Sequence, residues 1–226
     1  GKAAGDDMTG KGDLYREQGY LALPDFVPTD VTHAFLATLK SDLIRGGVSF
    51  DALKRGSDLL KTEAVEVYGL QYTPMTAFLW GMTPAVSALV GHELRPSYCY
   101  FRMYRAGDIC RIHSDRYACE HSLSLLLAAS DDKAWPLEVG SQHIETPRQR
   151  ADADFGDEAY ASVPMLPGDA VLYQGVHRLH GRIMPNPNRW SAHLFLHWVD
   201  PAGPYAAQAF EGMDIPATEA LAMEAR

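Results

Sequence analysis

Three things are scarce in this chain of 226 residues, and each scarcity narrows what it does. Its only cysteines are Cys99, Cys110 and Cys119, with no Cys-x-x-Cys pair among them. That argues against a disulfide framework and a thiolate zinc site, and makes a reducing cytoplasm the expected compartment. No stretch approaches the roughly 20 consecutive apolar residues of a membrane span. The opening GKAAGDDMTGKGD is polar and glycine-rich where a signal peptide needs an apolar core, so residues 1–12 read as a frayed tail. There is no dense Lys/Arg run, and the formal net charge is −9. Such a surface repels phosphate backbones, and neither nucleic acid nor a membrane is an expected partner.

What the chain does have is 46% hydrophobic and 22% charged residues, the ordinary mixture of a protein that buries one sizeable core. Residues 13–226 therefore read as a single domain, and the patterning divides it. From 13 to 93 helical signals dominate. Thr29 or Asp30 caps a helix whose apolar face is Val31, Phe35, Leu36, Leu39 and Leu43, ended by Gly46 and Gly47. Residues 48–72 are weakly patterned, with Tyr68 and Tyr72 among scattered charges, and read as a helix in a mobile loop region. TPAVSALVGHEL predicts a further helix capped by Thr83, with Pro84 in its first turn and Gly91 at its end.

From 94 to 200 the period changes to two. PSYCYFRMYRAG puts Tyr98, Tyr100, Arg102 and Tyr104 on one strand face, and HSLSLLLAAS, WPLEV, EAYASVPMLPGDAVLYQG and RWSAHLFLHWVD add further strands between turn signals. Several short strands without βαβ alternation predict a β-sandwich or barrel, with the helices as a layer packed on it and 201–226 as a C-terminal extension.

The chemistry-bearing pattern is His113-x-Asp115. Side chains two apart on a strand share a face, so this pair can hold a metal from one side. With His177 or His180 from the downstream GVHRLHGR, two imidazoles and one carboxylate make the facial triad of non-haem Fe(II) oxygenases, which leaves coordination positions open. Arg189-x-Ser191 follows on a strand, a guanidinium fork and a hydroxyl suited to a carboxylate. A dicarboxylate that chelates iron at one end and meets arginine at the other is 2-oxoglutarate. His193 and His197 alternate with apolar residues and read as core or pocket lining; His121 faces either substrate or solvent, and Trp135 and Glu138 fall in or beside the short WPLEV strand.

Taken in order, these motifs resemble the Fe(II)/2-oxoglutarate-dependent dioxygenases, close to the prolyl 4-hydroxylase and phytanoyl-CoA hydroxylase branches. YRAGDICRIHSD is similar to the prolyl-hydroxylase run of Tyr, two residues, Gly, five residues and His-x-Asp. LPGDAVLYQGVHRLHGR resembles the turn and strand leading to the distal histidine, RWS the arginine clamp, and QGYLALPDFVPTDV the opening of phytanoyl-CoA-hydroxylase-like chains. The resemblance implies a mainly β fold, a double-stranded β-helix (jelly roll, cupin-like) with the N-terminal helices packed on one sheet. It implies His113, Asp115 and His180 as iron ligands, with His177 near the mouth, and Arg189, Ser191 and Tyr104 as contacts to 2-oxoglutarate. Cofactors and co-substrates would be Fe(II), 2-oxoglutarate and O2, with ascorbate as a helper. Cys110 and Ala128 depart from the pattern where relatives place co-substrate tyrosines. Asp115 favours hydroxylation over halogenation, whose enzymes have glycine or alanine there. Arg102, Arg116, Arg182 and Tyr72 are candidate contacts to a small, anionic substrate, and residues 48–75 a candidate lid. The alternatives are a peptidyl (prolyl-type) hydroxylase and a non-catalytic 2-oxoglutarate- or metal-binding module, the latter disfavoured by an intact triad and clamp.

Overall fold

A computed structural model describes residues 2–148 and 150–223, with side chains from residue 10 onward. Gly1, Gln149 and residues 224–226 lie outside the described residues, and with them the outermost parts of the expected tail and extension.

The period-two segments form strands β1 (Tyr20–Leu23), β2 (Lys54–Arg55), β3 (Ala64–Tyr68), β4 (Arg95–Arg105), β5 (Cys110–His113), β6 (His121–Ala129), β7 (Leu137–Gly140), β8 (Tyr160–Val163), β9 (Ala170–Tyr173), β10 (His180–Arg182) and β11 (Trp190–Val199). They make a major sheet in the order β1-β9-β6-β11-β4-β3-β2 and a minor sheet in the order β5-β10-β7-β8. With every pairing antiparallel, this is the jelly roll.

Sequence alternation decides which face of the major sheet meets what. Leu123, Leu125 and Leu127 of β6, Phe101 of β4, and Ala192, Leu194, Leu196 and Trp198 of β11 share one apolar core with Tyr15, Leu39, Met75, Leu79 and Val86. Those last five come from helices α1 (Lys2–Gln18), α2 (Thr29–Arg45) and α3 (Thr73–Val90), which therefore cover the outer face. The inner face, toward the minor sheet, carries the other half of each strand. No helix among the described residues is long and apolar enough to cross a membrane.

Three expectations about the helical layer are corrected. Where a frayed tail was expected over 1–12, the backbone from Lys2 is helical as part of α1. α1 lies against α3 at Gly12, where a Cβ would be in van der Waals contact with the Val90 carbonyl oxygen at 3.4 Å, and Tyr15 is fully buried. The helix expected to start at Thr83 begins ten residues earlier, at Thr73. Tyr72 is its extended N-cap, and Pro84 is accommodated inside it, beside a Thr83 hydroxyl that donates to Leu79 O and accepts from Trp198 Nε1. Residues 48–72 hold only two single 3-10 turns, Asp51–Leu53 and Gly69–Gln71, instead of a helix in a loop, and between them β3 pairs with β4, extending the major sheet. AVEVY is too short for a helix but alternates, which puts Glu66 directly opposite Arg102. The candidate lid 48–75 is thus largely tied down. Leu60 bridges to Cys110, and Leu59 O accepts from Arg111 N–H at 2.7 Å, stitching this segment to the minor sheet.

Candidate metal centre

β5 ends on His113, β10 begins on His180, and the two residues are direct partners in the minor sheet. Asp115 follows β5, its N–H held by Gly175 O at 2.8 Å. One carboxylate oxygen lies 3.3 Å from His113 Nε2 and the other 3.3 Å from His180 Nε2, with the ring centroids 4.5 Å apart. Each imidazole donates through Nδ1 to a backbone carbonyl two residues before it, His113 to Arg111 O at 2.8 Å and His180 to Arg178 O at 2.9 Å. Both Nε2 atoms are thereby left for a third body. One ligand atom from each residue lies within 4.8 Å of the others. An octahedral ion with bonds of about 2.1 Å needs adjacent donors about 3 Å apart, so this mixed imidazole and carboxylate set fits a divalent iron-type ion.

The electrostatics agree. Burial alone would raise the Asp115 pKa, but the His180 and His113 imidazoles hold it well below the usual carboxylate range. Burial works against a charged His180, yet the Asp115 carboxylate raises its pKa above the ordinary histidine value. Gly175 is required by this packing. A Cβ there would come within 2.5 Å of Asp115 Oδ2, Cys119 O and Ser122 Oγ. His197 lies beside the triad, grouped with Asp115 and Cys119. Ser122 Oγ donates to Cys119 O at 3.1 Å and so accepts from His197 Nδ1 at 2.8 Å, which leaves His197 Nε2 a bare, buried acceptor. Burial drops the His197 pKa to about 4, keeping the ring neutral.

Along the interior the major sheet presents successive layers set by register: Tyr98 with His197, Tyr100 with Phe195, Arg102 with His193, and Tyr104 with Ser191. Tyr100 stacks on Phe195 at 4.7 Å and Tyr98 on His197 at 5.6 Å. Tyr104 and Ser191 thus both face the interior. Arg189 is not. Its side chain is 76% exposed and its Nε faces Asp131 Oδ1 at 3.5 Å, because strand parity turns position 189 into the bend that precedes β11. The clamp reading of Arg189 is corrected accordingly.

Two other arginines from the candidate substrate set do reach the interior. Arg182 is 1% exposed, lies over the Trp135 ring at 4.7 Å, and donates to Trp135 O and Ser124 Oγ. Arg102 is 6% exposed and donates to Tyr104 Oη at 3.0 Å. Arg116 is at the rim, its guanidinium 4.1 Å over Tyr98. Tyr72 lies in the helical layer, its hydroxyl donating to Asp42 at 2.6 Å, on the wrong side of the sheet for the pocket. Ala128 also faces outward, in register with Ala192, into a cavity beneath α2. Cys110 faces inward beside Tyr104 and Trp135. His177 points away from the triad, to Ile144 O and Tyr205 Oη, and His121 is taken up by Tyr15. Glu138 accepts from Ile183 N–H. Sequence reading missed Glu66 and Ser124; β-alternation in AVEVY and HSLSL carried the signal.

No protein-family model matches the chain, and no curated protein matches its sequence. Solved structures do match in shape. The non-heme alpha-ketoglutarate-dependent carbocyclase SnoK from nogalamycin biosynthesis superposes with a TM-score of 0.64 at 15% identity, over 84% of this chain and 83% of that one. The epimerase SnoN, in complex with Fe3+, alpha ketoglutarate and nogalamycin RO, gives 0.62 at 14% identity over 94% and 91%. A Pseudomonas putida prolyl-4-hydroxylase gives 0.55 at 17% identity over 84% and 98%. The chain therefore has the fold of the non-heme iron, 2-oxoglutarate-dependent enzymes.

Proposed function

We propose that the protein is an Fe(II)- and 2-oxoglutarate-dependent oxygenase that hydroxylates a small, anionic molecule, with succinate and CO2 as co-products. The observation that carries this reading is the triad itself: His113, Asp115 and His180 converge from two paired segments with both imidazole Nδ1 atoms already committed to carbonyls. Such a set grips one face of an ion and leaves the opposite face for co-substrate and oxygen. Bound iron with 2-oxoglutarate and O2 would supply the oxidising power for cleaving a C–H bond.

The chain's own residues set the conditions. Asp115, held as a carboxylate, provides the anionic ligand. The unprotonated His197 Nε2 offers a fixed acceptor beside it, and Tyr98, Tyr100 and Phe195 keep bulk water from the interior. Tyr205 of the C-terminal extension stacks on Tyr117, two residues after Asp115, at 4.8 Å and meets His177, so the extension lies against the segment that follows the carboxylate. That cover, with the exposed Arg116 guanidinium beside it, favours a small anion over an extended peptide.

The test is succinate release from anaerobically loaded Fe(II) protein given 2-oxoglutarate, candidate acids and then O2. His180→Ala is expected to abolish succinate formation and His177→Ala to leave most of it. The reverse pattern would overturn the ligand assignment.

A further inference from the structure

Among the described residues, only three buried side-chain polar atoms have no hydrogen-bond partner: Arg102 Nε, His193 Nδ1 and His197 Nε2. All lie on the inner face of β4 and β11. His197 Nε2 belongs to the metal layer. The other two belong to one pair, since Arg102 and His193 are direct register partners.

Both are donors with nothing to donate to. Asn186 Oδ1 accepts from Asn188, so Asn186 Nδ2 donates to Ser191 Oγ at 3.0 Å. The serine hydroxyl then donates to His193 Nε2 at 2.9 Å, which puts the imidazole hydrogen on Nδ1. Arg102 uses one terminal nitrogen on Tyr104 Oη, and its contact with Glu66 is long, 3.5 Å, to a carboxylate oxygen that also accepts from Tyr68 at 3.1 Å. An arginine with its side chain 7% exposed, an idle Nε and a stretched ion pair is a costly arrangement unless an anion completes it.

Its position suits one end of a five-carbon dicarboxylate. Successive inward layers of a strand are about 7 Å apart. The Arg102 guanidinium lies 5.2 Å from the Tyr100 ring, 5.5 Å from Tyr104 and 5.7 Å from Phe195, so it stays in its own layer, with the Tyr100–Phe195 layer between it and the His197 layer. Arg182, from the opposite sheet and two residues after His180, adds a second positive charge to the same region, though its own donors are spent on Trp135, Ser124 and Met165.

We infer that Arg102 and His193 form the seat for the distal carboxylate of the 2-oxo acid, in place of the exposed Arg189. Arg102 Nε–H and His193 Nδ1–H are the two donors, Arg182 deepens the positive potential, and Glu66 neutralises Arg102 while the seat is empty. This inference rests on the reading of the triad as a metal site that takes a 2-oxo acid, and it concerns the other end of that ligand.

The experiment compares two ligands with the same chelating end. Without oxygen, 2-oxoglutarate and the monocarboxylate 2-oxobutanoate are titrated calorimetrically into protein loaded with redox-silent Mn(II). Wild type is expected to bind 2-oxoglutarate at least about 30-fold more tightly, as charge-assisted bonds to one carboxylate allow. Arg102→Leu combined with Glu66→Gln, which leaves no buried charge unpaired, is expected to cut that preference at least about tenfold with Mn(II) affinity unchanged. Arg102→Lys should give an intermediate preference, His193→Phe a smaller loss than the double variant, and Arg189→Ala none. A preference retained in both Arg102 variants, or lost with Arg189→Ala, overturns the seat while leaving the metal reading intact. Wild-type protein that takes up Mn(II) and then binds neither 2-oxo acid overturns both.

Discussion

The two faces of β11 are equally buried and chemically opposite. Toward the helices stand Ala192, Leu194, Leu196 and Trp198, each 0% exposed; toward the minor sheet stand Ser191, His193, Phe195 and His197, none more than 6% exposed. The outer face does what burial ordinarily does, removing apolar surface from water and filling a close-packed layer. The inner face buries imidazoles and hydroxyls and, with β4, a guanidinium, and leaves three of their polar atoms without partners. One strand thus divides stabilisation from chemistry by parity alone, and a residue's face predicts which of the two its replacement damages.

The largest expected effect is on the stabilising face. Leu194→Ala removes a side chain packed between the central strands and the helical layer, so it should cost about 2–5 kcal/mol in urea unfolding. Mn(II) affinity of the folded fraction should not change. A weakening of metal binding in proportion to lost stability would show that the two faces are one unit and break the comparison.

Next comes a position where the inner side tolerates no added atom. Gly175→Ala would push against Asp115 Oδ2 and two further oxygens around it. The Asp115 carboxylate must then rotate or its loop must shift. Metal affinity is expected to fall by about 10- to 100-fold, the range seen when groups that orient ligands are disturbed, with a stability cost of about 1–3 kcal/mol. A calorimetric Mn(II) titration checks it; unchanged affinity would mean that Asp115 is not held by this contact.

The same parity explains what could be read from sequence. The strands, their inward set Tyr98, Tyr100, Arg102 and Tyr104, and the His-x-Asp pair were legible because alternation survives wherever one side is apolar. His113 and Asp115 lie within and just after one short strand, whereas His180 stands on β10, and its choice over His177 rested on the resemblance. Arg189 was misread for a single-residue reason: the chemistry of Arg-x-Ser was recognised, but only the serine end belongs to β11, and the arginine precedes it in the bend. β3 was missed because AVEVY is five residues among scattered charges, and its meaning depends on β4, some 35 residues away. Tyr72 and Ala128 show the same limit, since nothing local says on which side of a sheet a residue will lie.

One polar residue breaks the apolar pattern of the outer face, and it gives the smallest and sharpest test. His121 of β6 is in register with Trp198 and is hydrogen-bonded through Nδ1 to the Tyr15 hydroxyl at 2.9 Å. Burial, aided by the neighbouring His92, lowers its pKa from 6.5 to about 3. Between these values the unfolded chain carries a proton there and the folded chain does not, so stability falls as pH drops below about 6.5 and stops falling on this account near 3. Each proton of difference is worth about 1.4 kcal/mol per pH unit. His121→Gln should lessen the acid loss of stability between pH 6 and pH 4 by up to that slope, measured by urea unfolding of metal-free protein. His197, lowered to about 4 on the inner face, contributes over the narrower window from 6.5 to 4. An acid slope identical in wild type and His121→Gln would show that His121 does not carry the loss, and would leave it to other groups, His193 and His197 on the inner face among them.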